Sequence, residues 1–136
     1  DQIPALSIES ITPERITLSD GLVVTSGLIL VNGSCFMWDA PPLDSDKALP
    51  SGVGWEEWLQ GEGRVEEVWK LFEVLEPKPE ILLFGTGSRV LPLPSKIRTH
   101  MAELGIQVDC QSSQNAASTF NVLAEEGRKV ACALIP

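Results

Sequence analysis

Histidine, cysteine and basic residues are scarce in this chain, and each shortage removes a class of chemistry. His100 is the single imidazole. A serine or cysteine nucleophile needs a base to take its proton. His100 falls on a predicted helix, Lys96 to Leu104, offset from the apolar stripe of Ile97, Met101 and Leu104, and reads as a solvated helix-face residue. With one histidine and no CxxC pair there is no ligand set for a metal, so no metal, cofactor or catalytic residue is expected. The three cysteines, Cys35, Cys110 and Cys132, are odd in number and lie in or beside apolar strand-like runs. They read as reduced core residues in a reducing compartment. Ten Lys and Arg are scattered singly against 19 Asp and Glu, a net charge of −9. That balance repels a phosphate backbone, and no nucleic-acid partner is expected. No apolar run approaches the roughly 20 residues that cross a bilayer, so no transmembrane segment is expected. The chain begins at Asp1 rather than methionine, and the absence of a targeting segment from it says nothing about its destination.

What is present is an ordinary globular composition. Of 136 residues, 43% are hydrophobic and 21% charged. One domain over residues 1–136 is expected, long enough to bury about two thirds of its unfolded surface. At the front, about residues 11–39, Arg15–Leu18 and Leu22–Thr25 flank an Asp20-Gly21 turn signal. Gly27–Val31 and Cys35–Trp38 flank Asn32-Gly33, which completes an antiparallel meander. Residues 40–63 shift to Pro, Gly, Asp and Ser, a long surface excursion of the kind that often binds. It carries Trp55 and Trp58, spaced to share one side of a helical turn, either as a flap packed on the sheet or as a docking surface. With Trp38 they form the candidate partner surface.

Residues 64–136 read as a helix and a βαβαβ unit. Val65, Val68, Trp69, Phe72 and Leu75 share a helical face that ends at Pro77. Glu80–Phe84 is expected as the central strand, followed by the helix closed at Gly105 and the strand Ile106–Cys110. Ser113 is the expected N-cap of a helix bearing Ala117, Phe120, Leu123 and Ala124, with Gly127 ending it before the strand Lys129–Ile135. This order requires parallel pairing, hence an α/β fold.

The glycine turn after the first of these strands imitates a dinucleotide fingerprint. Gly85 and Gly87 supply its first two glycines, but Val90 stands where the third belongs, and Pro92 and Pro94 interrupt the helix that would cradle phosphate. A ligand crevice remains open at this place, built from Gly85, Thr86, Gly87 and Arg89 with Asn115, Thr119 and Asn121 from the following helix. Arg89 and the turn amides would hold an anion or small molecule there. The competing reading is structural, with Thr86 and Asn115 bonding the loop and capping the helix.

Several segments resemble a known family. Leu75-Glu76-Pro77, Pro79-Glu80-Ile81 through Gly85-Thr86-Gly87, Gln114 through Asn121, Glu126-Gly127-Arg128 and Ala133 through Pro136 are similar to the small Mth938-like domains. That family includes a mitochondrial complex I assembly factor, an adipogenesis-associated cytosolic homologue and archaeal members. The excursion over 40–63 is longer and richer in Trp than that pattern. The resemblance implies a three-layer mixed-sheet fold with no established reaction, so a non-enzymatic chaperone for respiratory complex I. It implies a mitochondrial address on the matrix side of the inner membrane, with peripheral rather than spanning association. The implied partners are a second complex I assembly factor and early peripheral-arm subunits. The family's glycine turn maps onto Gly85, Thr86 and Gly87, and its polar helix onto Asn115, Thr119, Phe120 and Asn121.

Overall fold

The computed structural model describes residues 6–38, 70–88, 90, 93 and 95–136. The excursion over 40–63, with Trp55 and Trp58, lies outside the described residues, as does Arg89. Eight strands and two long helices are described: β1 (Ile8–Ile11), β2 (Ile16–Leu18), β3 (Val23–Val24), β4 (Gly27–Val31), β5 (Ser34–Trp38), β6 (Ile81–Thr86), α1 (Ser95–Glu103), β7 (Gln107–Gln111), α2 (Ser113–Glu125) and β8 (Val130–Ile135). Residues 70–74 are also helical, the described part of the helix predicted to end at Pro77.

The front strands do not form one meander. β1, β2 and β3 make a small antiparallel sheet of their own, whereas the β4–β5 hairpin joins a five-stranded sheet in the order β5-β4-β8-β6-β7. β1 begins ahead of the expected front boundary. The central strand is β8, not β6 as predicted, because β8 pairs antiparallel with β4 and parallel with β6. Its sequence, Val-Ala-Cys-Ala-Leu-Ile, is buried throughout, the continuous apolar run expected of a strand covered on both faces.

Alternation along β4, β6 and β8 divides the interior into two cores. Ile29, Val31, Leu82, Phe84, Ala131 and Ala133 face one way and pack with Phe72, Leu93, Ile97, Met101 and Ile106. Leu28, Leu30, Leu83, Cys132 and Leu134 face the other way, beneath Phe120 and Ala116 of α2 and beneath Ile8, Ile16, Leu18 and Val24 of the small sheet. The result is three layers. The helices fall on opposite faces for a topological reason: α1 carries the chain outward from β6 to β7, and α2 carries it back past β6 to β8. Crossovers of one hand that run in opposite directions place their helices on opposite sides. α1 and α2 end just ahead of Gly105 and Gly127 respectively, as expected from the sequence.

Candidate functional site

The C-terminal ends of the parallel strands are where open α/β sheets hold ligands. Here that end is closed by a short set of contacts between the glycine turn and α2. A Cβ built on Gly85 would meet the Ser113 Cα at 2.7 Å and the Leu134 side chain at 2.7 Å, so only glycine permits this approach. Ser113 is not the cap of α2, as predicted from the sequence. Ser112 takes that place, its Oγ accepting from the Asn115 N–H at 3.3 Å. One residue later, Ser113 is buried, and its hydroxyl donates to the Ile135 carbonyl while accepting from the Gly87 N–H at 2.8 Å. The Ser113 N–H returns a bond to the Gly87 carbonyl at 2.8 Å. Ser113 thus ties the ends of β6 and β8 to the first turn of α2.

These bonds decide what the turn offers. The Gly87 amide, an anion donor on the sequence reading, is already engaged by Ser113. Thr86 is fully buried and its hydroxyl donates to the Gln111 carbonyl at 3.4 Å, bridging the ends of β6 and β7. Thr119 donates to Gln111 Oε1 at 3.3 Å on the same side of α2. Asn115 is exposed and contributes its backbone to the cap. Asn121 is not brought to the turn. Its amide grips the backbone of Ile8 at both ends, Oδ1 accepting from the N–H at 2.9 Å and Nδ2 donating to the carbonyl at 2.9 Å.

Beside this closure lies a cleft of about 200 Å³ between the glycine turn, the start of α2 and the β1–β2 connection. Thr12, Pro13, Ser88, Ser112, Gln114 and Pro136 are among the described residues that line it, and among those no side chain is titratable. The sequence singles out Ser113 only as a helix cap, and Ser112 and the Thr12-Pro13 connection not at all; the adjacent serines after β7 are the available signal, and their separate roles depend on where β6 and β8 end.

Trp38 is a correction to the predicted partner surface. It is buried, with 6% of its surface exposed, and packs edge-on against Phe84 with ring centroids 6.1 Å apart. Placed at the end of β5 on the inward side of the sheet, it is a core residue. The cysteines are free, with Cys132 buried and Cys35 and Cys110 half-buried. Burial pushes the Cys132 thiol well up from its ordinary value, and partial burial with the nearby Asp20 carboxylate raises that of Cys35. His100 pairs with Glu73 at 3.2 Å across α1 and the 70–74 helical segment, remote from the turn. Among the described residues no helix is long and apolar enough to cross a membrane, and no group of His, Cys, Asp and Glu could hold a metal ion.

Known proteins share both sequence and fold with this chain. Human NADH dehydrogenase [ubiquinone] 1 alpha subcomplex assembly factor 3 is 45% identical over 90 residues, which are 65% of this chain and 48% of that protein. A 13 kDa major membrane protein of Francisella tularensis is 40% identical over 62 residues, 46% of this chain and 50% of that one. The chain spans about half the length of the curated relatives it matches. The solution structure of a Mth938-like domain from Bordetella pertussis superimposes with a TM-score of 0.67 at 23% identity, covering 100% of this chain and 90% of that domain. The fold is therefore Mth938-like, and, with residues 8–135 matched, the chain belongs to the family of proteins of unknown function DUF498/DUF598.

Proposed function

We propose that this chain serves the assembly of mitochondrial respiratory complex I by binding other proteins, without catalysing a reaction. The observation that carries this reading is the 45% identity with the human complex I assembly factor 3. Two structural features agree with it. The strand ends where an α/β enzyme would place its chemistry are closed by Gly85, Ser113 and Thr86, and among the described residues that line the neighbouring cleft no side chain is titratable. In this reading the partners are a second complex I assembly factor and early peripheral-arm subunits, met on the matrix side of the inner membrane, and Trp55 and Trp58 act as aromatic anchors.

The test is affinity capture of the tagged chain from mitochondria, with and without Trp55→Ala and Trp58→Ala together. Recovery of complex I peripheral-arm subunits is expected, reduced about tenfold or more by the double substitution, since two anchors of this kind are hot-spot residues. Capture that brings down no complex I component would end the assembly reading. Undiminished capture by the double variant would end only the assignment of the anchors.

A further inference from the structure

The two long edges of the five-stranded sheet are finished differently. β7 carries an exposed carboxylate, Asp109, held by Gln111 Nε2 at 2.9 Å, and a charge on an edge strand discourages pairing with another chain. β5, Ser-Cys-Phe-Met-Trp, has no charge and no proline. Two of its large apolar side chains are open to solvent, Phe36 at 38% and Met37 at 68%. An uncharged, apolar edge of this kind is a template for strand addition.

The hydrogen-bond register says which strand fits. Asn32 and Gly33 have φ of 52° and 76°, a two-residue hairpin turn that makes Val31 and Ser34 a hydrogen-bonded pair. Pairs alternate from there, so Phe36 and Trp38 bond inward to Ile29 and Gly27. The N–H and C=O groups of Cys35 and Met37 therefore point away from β4. Among the described residues no hydrogen bond reaches them. These free positions lie symmetrically on either side of Phe36.

We propose that β5 is the interface of a symmetric homodimer, pairing antiparallel with the β5 of a second copy about a two-fold axis at Phe36. Cys35 and Met37 of one protomer exchange hydrogen bonds with Met37 and Cys35 of its partner, which satisfies all four free groups on each strand. Phe36 meets its symmetry mate in a non-hydrogen-bonded pair, where the Cα atoms of antiparallel strands come within about 4.5 Å. An isologous contact requires a self-complementary patch, and this register is self-complementary. Each protomer carries a net charge of −9, which opposes association in general, but the paired strands contribute none of it. The product is a continuous ten-stranded sheet with β7 at both ends.

Sedimentation of the full chain over a concentration series tests this. A reversible monomer–dimer equilibrium is expected, weakened about tenfold or more by Phe36→Lys, which sets two like charges opposite each other on the axis. A circular dichroism melt of that variant checks that the fold is kept. A second variant guards against its failure. With Cys35→Ser and Cys110→Ser removing the two partly accessible thiols, Phe36→Cys should oxidise rapidly to a covalent dimer, whereas Ser34→Cys should not, because its symmetry mate lies roughly 13 Å along the paired strands. A chain that stays monomeric, a dimer indifferent to Phe36→Lys, or cross-linking no faster at position 36 than at 34 would each overturn the proposal. A monomer whose β5 is instead covered by a strand of a different protein is among those overturning results.

Discussion

The two structures that cover the same face of the main sheet are attached to it by different means. α2 is joined by fit: Gly85 leaves no space for a side chain against the Ser113 backbone, and the Ser113 hydroxyl links two strand ends. The β1–β3 sheet shares no strand pairing with the five-stranded sheet among the described residues. It rests on apolar contacts from Ile8, Ile16, Leu18 and Val24 and on the Asn121 amide bonded to Ile8. The first attachment is intolerant of added atoms. The second has few directional contacts to break, and an attachment of that kind is where local opening is expected first.

The largest expected effect follows from the fit. Gly85→Ala places a Cβ 2.7 Å from a backbone atom of α2, which no rotamer change relieves. Either the helix or the strand must move, and a loss of about 3 kcal/mol is expected, at the upper end of ordinary overpacking. Urea unfolding measures it. A loss below about 1 kcal/mol would mean that α2 glides on the sheet, and the contrast between the two attachments would disappear.

Ser113→Ala comes next. It removes the hydroxyl that serves the Gly87 N–H and the Ile135 carbonyl, leaving both strand-end groups without that partner in a buried setting. A cost of about 2 kcal/mol is expected for the stranded groups. Ser112→Ala, which removes only the cap bond to the Asn115 N–H, should cost about 1 kcal/mol. Equal losses for the two serines would show that Ser113 is merely another cap.

This pair of serines also marks how far sequence reasoning reached. The order of strands and helices after residue 80 was legible, because β6 and β8 are continuous apolar runs and Pro77, Gly105 and Gly127 punctuate them. The glycine turn was legible as a place, and its incomplete fingerprint argued against a dinucleotide. What remained hidden was set by distant parts of the chain. Ser112 and Ser113 are equivalent as N-cap candidates until the ends of β6 and β8 give one of them two more partners. Asn121 was placed with the crevice, yet its partner Ile8 is 113 residues away. β8 reads as a last strand, and only the antiparallel pairing of β4 on its far side makes it central. Trp38 was assigned to a surface because an aromatic at a strand end carries no local sign of the face it takes; its burial is decided by Phe84 on another strand.

The most local effect tests the attachment of the small sheet itself. Asn121→Ala removes both hydrogen bonds to Ile8, and a loss of about 1–2 kcal/mol is expected, confined to the β1–β3 sheet if that layer opens on its own. Cys132 provides the readout, because it is fully buried in the core shared by α2 and the small sheet, and burial keeps its thiol protonated. Labelling by a thiol reagent then requires an opening that admits water and the reagent. Cys35→Ser and Cys110→Ser remove the partly exposed thiols from the measurement. If the small sheet lifts separately, Asn121→Ala should speed Cys132 labelling about 5- to 30-fold, the ratio equivalent to the lost stability, while hydrogen exchange of β6 slows or quickens little. If labelling and β6 exchange accelerate together by the same factor, the layers open only as one unit, and the attachment through Asn121 belongs to the global fold after all.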